Sequence, residues 1–327
     1  MDDSSRPNVP PSWIGGGTKS RVMSRFALVG KLLVSAALLV FLSRKVAWPA
    51  LSARLSTAAP GPLIAALCLL VAAVILAALR WRMLVQKGGA RMSVMTAIQL
   101  TFAGMFFGQV LPATVGGDVV RGMLACRGGL PWREVVSGIV LDRITALLAS
   151  IVLILIGLPW LSALAVDTAE PLLWTALASL ALICALAAAL CGDMLPLPQI
   201  LTRQAWVAGA LRLTGQVRSG LASKAGFAAL AISISIHLST VATVLLIGAG
   251  LGVPVSPLAG FVVVPLAIFA AAVPISLNGW GIREGVMVAG LALFGISSAD
   301  ALLISILLGF GVILSVLPGS LTWLALR

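Results

Sequence analysis

The chain has 327 residues, of which 60% are hydrophobic and only 10% are charged, and its mean hydropathy is +1.13. A soluble domain keeps about a quarter of its residues charged, so this composition excludes a soluble globular protein and predicts a polytopic membrane protein. The formal charge of +12 comes from basic residues that lie between apolar segments rather than along one stripe. This distribution favours roles in membrane topology and in binding anionic lipid, and it argues against nucleic acid as a partner.

The first 25 residues are rich in Pro, Gly, Ser and charged residues. This composition cannot form a hydrophobic core and predicts a disordered cytoplasmic tail over residues 1–25. The first apolar segment is not followed by a small-residue cleavage site, so the tail is not interpreted as a cleaved signal, and Met23 is an alternative start.

Uninterrupted apolar segments follow the tail, and each approaches or exceeds the ~20 residues that cross a bilayer as a helix. Their predicted bounds are 26–42, 61–79, 136–160, 171–191, 226–250 and 300–325. Two further stretches, 93–120 and 257–297, are apolar but contain Gly and Pro interruptions. The fold class predicted from these segments is therefore an all-α polytopic membrane protein.

The distribution of Lys and Arg predicts the orientation of the spans, because cytoplasmic links carry the excess of basic residues. The tail, the link 121–133 and the link 192–224 are basic, and so is a cluster that follows the second span, made of Arg80, Arg82, Lys87 and Arg91. The links 161–170 and 251–256 contain no Lys or Arg. We therefore predict a cytoplasmic N-terminus and an interfacial helix in the 192–224 link, although the basic residues near 44–54 would then be external. The stretch 93–120 has basic flanks on both sides, which predicts a re-entrant hairpin.

The two interrupted stretches resemble each other. Residues 106–121 read FFGQVLPATVGGDVVR and residues 268–283 read IFAAAVPISLNGWGIR. Aligned without a gap at an offset of 162 residues, they pair Phe107 with Phe269, Pro112 with Pro274, Thr114 with Ser276, Gly117 with Gly279, and Arg121 with Arg283. This match predicts an inverted repeat of two halves, 26–165 and 166–327. Each half would contain about three spanning helices and one re-entrant broken helix, with the re-entrant motifs at 106–121 and 268–283.

Broken helices that meet near the middle of the bilayer commonly form the substrate site of transporters with inverted repeats. Unwound backbone is tolerated at that depth only where protein or a water-filled cavity satisfies its amides. Glycine lets such backbone approach a ligand, and the amides at a helix N-terminus attract a phosphate. The candidate substrate-binding residues at the two breaks are Pro112, Thr114, Gly116, Gly117, Pro274, Ser276, Asn278 and Gly279.

Six ionisable residues accompany the breaks: Asp118, Arg121, Asp142, Arg143, Arg283 and Glu284. A charge in hydrocarbon costs at least ~2.5–3.5 kcal/mol, so we expect these side chains to face the interior and to pair. Asp118 and Arg121 are three residues apart and share a helical face, whereas the adjacent Asp142 and Arg143 need different partners. Two interpretations remain open. The arginines bind a lipid phosphate, or the six residues form a salt-bridge network that holds the halves together.

His237 is the only histidine, and it lies in the middle of a predicted span near Ser233 and Thr240. It is a candidate proton relay, or it forms hydrogen bonds between helices. The four cysteines have no CxxC spacing and no histidine cluster nearby, so neither a metal site nor a cofactor is expected. No nucleotide-binding loop and no metal-dependent transferase or hydrolase motif occurs, so we do not expect an enzyme.

Three motifs, LPATVGGDVVR (111–121), LDRI (141–144) and PISLNGWGIREG (274–285), resemble those of the lysylphosphatidylglycerol synthase transmembrane, or flippase-like, family. The resemblance covers about 26–325 and implies a bacterial or archaeal inner-membrane protein that handles lipids. It implies roles for the same six charged residues. Some members carry aminoacylated phosphatidylglycerol across the bilayer, and others accompany glycolipid, polyprenyl-lipid or hopanoid pathways. The aminoacylating members append a transferase domain that we do not find in this sequence, so synthesis of lysyl-lipid is not expected here.

These observations together predict a lipid translocator of the bacterial inner membrane that binds an anionic or modified lipid headgroup in a cleft between two re-entrant hairpins. The expected partners are a phospholipid, an aminoacylated lipid, a glycolipid or a polyprenyl lipid, and a biosynthetic enzyme or a second copy of the chain is a further candidate. A membrane-embedded lipid transferase and a non-transporting accessory subunit of a lipid pathway are the alternatives.

Overall fold

The computed structural model describes residues 56–110, 116–164, 218–272 and 278–325, together with isolated positions between 54 and 215. The predicted tail, the spans 26–42 and 171–191, and most of the 192–224 link lie outside the described residues. All regular structure in the described segments is helical, which confirms the predicted all-α fold class.

The described segments form helices with the following bounds: α1 (Pro60–Lys87), α2 (Val94–Val110), α3 (Gly116–Arg127), α4 (Trp132–Leu164), α5 (Lys224–Gly250), α6 (Pro257–Ala272), α7 (Ile282–Ala292), α8 (Ser298–Val316) and α9 (Pro318–Ala325). Four segments are long and apolar enough to cross a bilayer, and these are α1, α5, residues Trp132–Trp160 of α4, and Ser298–Trp323 across α8 and α9. Their positions confirm the spans predicted at 61–79, 136–160, 226–250 and 300–325.

Helix α1 extends beyond the end predicted for the second span. Helix α1 continues to Lys87 and therefore contains Arg80, Arg82 and Lys87, which were assigned to a basic link. Arg80 is only 7% exposed, so it is not a cytoplasmic surface charge. The helix continues because the basic residues, the apolar residues between them and Gln86 are compatible with helix geometry, and the first glycines of the following link occur at 88 and 89.

Local sequence signals mark several helix ends. Helix α1 begins with a proline in its first turn, where the missing N–H costs no hydrogen bond. Helices α5 and α8 begin after Ser223 and Ser297, whose hydroxyls accept hydrogen bonds from the backbone N–H of Gly226 and Asp300. Helix α7 begins after Gly281, which has a φ of +88° that favours glycine.

In each interrupted stretch the structure describes two helices. Helices α2 and α3 flank residues 111–115, which lie outside the described residues. Helices α6 and α7 flank residues 273–277, which also lie outside them, and a turn at 278–281, so α7 does not continue α6 directly. We keep the name helix breaks for the two breaks predicted in these stretches, and they stay predictions, as does the re-entrant course of each stretch relative to the membrane.

The packing of the described helices is reciprocal between the two parts of the chain. Helices α1 and α5 pack against each other in the centre. Helix α1 also contacts α2, α4 and α8, and α5 contacts the counterparts α6, α8 and α4. Likewise α2 packs on α3 and α9, as α6 packs on α7 and α4. This exchange of equivalent contacts supports an internal repeat, and the inversion of one half relative to the other stays a prediction.

Glycines allow the two helices around the first break to approach closely. A Cβ on Gly117 of α3 would lie 2.3 Å from the carbonyl oxygen of Gly104 in α2, and a Cβ on Gly104 would lie 2.8 Å from that of Gly117. Small residues permit this backbone approach in membrane helices. The contact places the first turn of α3, with its charged side chains, directly beside α2.

Candidate functional site

A cavity of about 390 Å³ lies between two sets of helices, a first set of α1–α4 and a second set of α5–α8. Both helix breaks border it, because Gln109 and Gly117 flank the first break and Ala272 and Asn278 flank the second. Residues of α1, α5 and α8 form a mainly apolar wall: Leu70, Ala73, Val74, Ala77, Ile236, Thr240, Val312, Ser315 and Val316. Charged residues from α1, α3 and α4 form its polar part: Arg80, Asp118, Arg121, Asp142 and Arg143.

The five charged residues form a chain of alternating sign. Arg80 Nε is 2.7 Å from Asp142 Oδ1, and Arg121 Nη2 is 2.9 Å from Asp142 Oδ2. The same Arg121 nitrogen is 2.8 Å from Asp118 Oδ1, and Arg143 Nε is 2.5 Å from Asp118 Oδ2. The order Arg80, Asp142, Arg121, Asp118, Arg143 therefore runs through three helices, and the first four side chains are at least nine-tenths buried. We name this set the charge chain.

The expected pairings within this set are confirmed. Asp118 and Arg121, three residues apart in α3, contact each other. Asp142 and Arg143 take different partners, as their adjacent positions in α4 require. The charge chain carries three positive and two negative side chains, so its formal charge is +1 when all five are ionised. It joins α1, α3 and α4, all from the first part of the chain, and Arg80 also donates to Ser233 of α5.

The charge chain retains a hydrogen-bond donor after its internal pairing. Each of the four carboxylate oxygens of Asp118 and Asp142 faces a guanidinium nitrogen within 2.9 Å. Arg80 also donates from Nη1 to Ser233 Oγ at 2.8 Å. Among the described residues, the buried Nε of Arg121 has no hydrogen-bond partner. A group that accepts hydrogen bonds, such as a phosphate, complements an unpaired donor of this kind.

Arg80 is the main residue of this region that sequence reasoning missed. Its position after a long apolar segment resembles a topology charge, but helical phase indicates otherwise. The buried positions of α1 recur at three- and four-residue spacing, and Arg80 continues this stripe. Arg82 lies off the stripe, is only partly buried and donates to the carbonyl oxygen of Met92 at 2.8 Å. A test of helical phase across the whole of α1 would have separated the two arginines.

Arg283 and Glu284 do not line the cavity. The fully buried Glu284 accepts a hydrogen bond from the Gly281 N–H at 2.6 Å and forms an ion pair with Arg283. The Arg283 guanidinium lies 4.9 Å from the ring centroid of Trp280 and packs against Gly309 of α8. The structure therefore brings four of the six predicted charged residues to the cavity and places the other two in a separate cluster that begins α7.

His237 lines the cavity and links α5 to α4. Its Nε2 lies 3.1 Å from the carbonyl oxygen of Ala146 and 3.4 Å from Ser150 Oγ. The predicted hydrogen bonding between helices is therefore confirmed, and Thr240 lines the cavity one turn further along α5.

A polar contact connects the two helix breaks. Asn278 Nδ2 donates to Gln109 Oε1 at 2.6 Å, and both residues line the cavity. Asn278 has a φ of +50°, and the next residue, Gly279, has a φ of +79° and is packed so tightly on Ala271 that a Cβ would lie 2.5 Å away. The conformation of this turn thus requires glycine at 279 and favours Asn or Gly at 278.

The remaining predicted residues are placed as follows. Gly116 and Gly117 begin α3, and Gly117 lines the cavity whereas Gly116 does not. Pro112, Thr114, Pro274 and Ser276 lie outside the described residues. Within the described segments, no group of three His, Cys, Asp or Glu side chains is arranged to hold a metal ion.

Comparison with known proteins gives one family. A search of curated proteins and a search of solved structures found no match. A family model described as the lysylphosphatidylglycerol synthase TM region matches residues 28–319, which include every helix of the charge chain and both helix breaks. The spanning helices and the family match together show a multi-pass membrane protein with a lipid-related function. The chain belongs to the lysylphosphatidylglycerol synthase TM region family.

Proposed function

We propose that this protein translocates a membrane lipid by holding its phosphate against the charge chain while the acyl chains remain in the bilayer. The observation that carries the proposal is the cavity among membrane-spanning helices, which is lined by three arginines and in which the buried Arg121 keeps one donor that the neighbouring carboxylates do not occupy. Buried charge is expensive in a membrane protein and usually marks the path of a substrate or ion.

The dimensions of the cavity support a headgroup as the occupant. About 390 Å³ lies near the lower end of the range for small-molecule sites and is too small for a complete phospholipid. The apolar residues of α1, α5 and α8 that line the cavity suit the glycerol and the first methylene groups of the acyl chains. A lipid bound in this way needs only its polar part to leave the bilayer environment.

The contact between α1 and α5 supplies the proposed axis of movement, because residues of both helices line the cavity. In the proposed cycle, the two sets of helices rock about the contact between α1 and α5, and the cavity opens to one membrane face at a time. The charge chain lies within the first set and moves as a unit, so its ion pairs persist through the cycle.

The test is lipid movement in proteoliposomes. Vesicles with and without the purified protein contain phosphatidylglycerol labelled on an acyl chain with a nitrobenzoxadiazole fluorophore, and added dithionite reduces only the label in the outer leaflet. We expect the protein to raise the reducible fraction above about half. Arg121→Ala should abolish this movement, whereas Arg127→Ala should preserve it because Arg127 lies exposed in the last turn of the same helix.

Arg121→Lys provides a second variant in case Arg121→Ala does not fold. It keeps a positive charge between the two carboxylates but lacks the planar guanidinium, so we expect folded protein with slower lipid movement. Movement at the wild-type rate in both Arg121 variants would place the lipid site elsewhere. If the wild type moves phosphatidylglycerol, phosphatidylethanolamine and aminoacylated phosphatidylglycerol no faster than protein-free vesicles, the translocator proposal is wrong.

The proposal also states that the lipid is not chemically changed. Mass spectrometry of the lipids extracted after the assay should recover the labelled lipid intact. A new lipid product formed by the purified protein alone would favour a membrane-embedded transferase instead.

A further inference from the structure

We propose that the cavity selects lipids whose headgroup is anionic and otherwise uncharged, that it rejects headgroups bearing an ammonium group, and that Arg80 sets this selectivity. This inference rests on the proposed function, because it assumes that the cavity holds a lipid headgroup. It is narrower, since a lipid translocator of any selectivity would satisfy the proposal above.

The first step concerns the acceptors that an ammonium group would need. Among the described residues, the acidic side chains that line the cavity are Asp118 and Asp142. All four of their oxygens already face guanidinium nitrogens within 2.9 Å. The other described acidic side chains, those of Glu134, Glu284 and Asp300, do not line the cavity. A cationic amine bound here would therefore find no carboxylate without an arginine partner.

The second step concerns the net charge. The three arginines and two aspartates of the charge chain leave a formal excess of one positive charge beside the cavity. A single phosphodiester neutralises this excess, whereas a zwitterionic headgroup cancels its own phosphate and a lysyl-bearing headgroup adds further positive charge. At an effective dielectric of about 20, one uncompensated charge within several ångströms changes binding by roughly 10- to 100-fold.

The third step concerns what the rest of the headgroup would contact. Among the described residues, the polar side chains of the cavity outside the charge chain are neutral hydroxyl and amide groups together with His237, and they are Gln109, His237, Thr240, Asn278 and Ser315. Such groups exchange hydrogen bonds with hydroxyls, as in a glycerol or sugar headgroup. An anionic phospholipid with a hydroxylated headgroup fits both the charge and the hydrogen-bonding groups.

Arg80 affects the balance because it contributes one of the three positive charges and occupies an oxygen of Asp142. It lines the cavity, it donates to Asp142 Oδ1, and Asp142 retains Arg121 as a second partner. Replacing Arg80 with a neutral residue brings the formal charge from +1 to zero and releases one carboxylate oxygen as an acceptor for an ammonium group. The position therefore affects discrimination between lipids and not only the strength of binding.

The experiment is competitive lipid retention measured by native mass spectrometry. Detergent-purified protein is mixed with equal amounts of phosphatidylglycerol, phosphatidylethanolamine and lysyl-phosphatidylglycerol, and the bound lipids are counted. We expect the wild type to retain phosphatidylglycerol at least about 10-fold over the lysyl lipid. Arg80→Gln should bring this ratio close to one, and Arg80→Lys should keep the preference because it keeps the charge.

Arg82→Gln is the matched control, since it removes the same charge two residues away on α1 from a side chain that does not line the cavity. It should preserve the wild-type ratio. A general effect of protein charge would instead change the ratio in Arg82→Gln as well as in Arg80→Gln. Equal or stronger retention of the lysyl lipid by the wild type would overturn the inference, and so would an unchanged ratio in Arg80→Gln.

The proteoliposome assay separates this inference from the proposed function. Movement of lysyl-phosphatidylglycerol at the rate of phosphatidylglycerol would overturn the selectivity and leave the translocator standing. Selective retention of phosphatidylglycerol without movement of any lipid would overturn the translocator and leave the selectivity standing. Retention of none of the three lipids would overturn both.

Discussion

Removal of Arg121 should destabilise the protein far more than removal of Arg143, although both arginines contact Asp118. Arg121 is the middle member of the charge chain, its side chain is only 6% exposed, and it contacts both aspartates at 2.8 and 2.9 Å. Its guanidinium also lies 4.7 Å from the ring centroid of Trp81. The Arg143 side chain is 57% exposed, so water compensates its charge.

The magnitudes follow from burial. Removing one partner from a buried ion pair costs about 3–5 kcal/mol, because the remaining charge stays buried without compensation, and we expect this range for Arg121→Ala. An exposed ion pair contributes about 0–1 kcal/mol, which we expect for Arg143→Ala. The two variants should therefore differ by at least about 2 kcal/mol in the free energy of unfolding.

The assay is reversible unfolding in mixed micelles of dodecylmaltoside and sodium dodecyl sulfate, followed by circular dichroism. A rescue variant supplies the control. Arg121→Leu combined with Asp118→Leu leaves Asp142 paired with Arg80 and Arg143 exposed, so its loss should be smaller than the sum of the two single losses by about 1 kcal/mol or more. Equal stability of Arg121→Ala and Arg143→Ala would refute the reasoning, and so would strictly additive losses in the double variant.

Two further predictions concern the helix breaks and are checked by the apparent melting temperature in detergent. Gly117→Ala should lower the free energy of unfolding by about 1–3 kcal/mol, because its Cβ would lie 2.3 Å from the carbonyl oxygen of Gly104. Gly108→Ala is the control, since the atom nearest to its Cβ would lie 3.7 Å away, and its stability should stay within about 1 kcal/mol of the wild type. Equal melting temperatures for the two variants would contradict the close packing of α2 on α3. Asn278→Ala and Asn278→Gly both remove the hydrogen bond to Gln109, but only alanine meets the steric cost of a φ of +50°, so the alanine variant should be less stable by about 1–2 kcal/mol. A less stable glycine variant would show that this turn does not hold residue 278 in the left-handed conformation.

Much of the fold was predictable from the sequence because the signals are local. A bilayer requires long apolar segments and satisfies no backbone polar group, so the spans ending near Trp160 and Gly250 follow from hydropathy alone. The turn at 278–281, which precedes α7, follows from the Asn and Gly residues within an apolar segment. The contact of Asp118 with Arg121 follows from helix geometry, since residues three apart lie on one face.

Other features depended on how the helices pack, and no local signal determines packing. Arg121 and Arg283 occupy equivalent positions in the two repeat motifs, yet the first lines the cavity and the second packs on Trp280 and Gly309. The difference arises from their neighbours in space. Asp142 of α4 pairs with Arg121, whereas Arg283 pairs with the adjacent Glu284, which also accepts a hydrogen bond from Ser305 of α8.

By itself, the sequence therefore determined the membrane class, the described spans and the family, because hydropathy, helix period and short motifs are properties of neighbouring residues. Only the tertiary structure decided that Arg80 belongs to the site, that the charge chain carries an excess of one positive charge, and that Arg283 lies apart from it. Those outcomes require side chains from α1, α3 and α4, up to 62 residues apart in the chain, to meet in a buried space where each charge must find a partner.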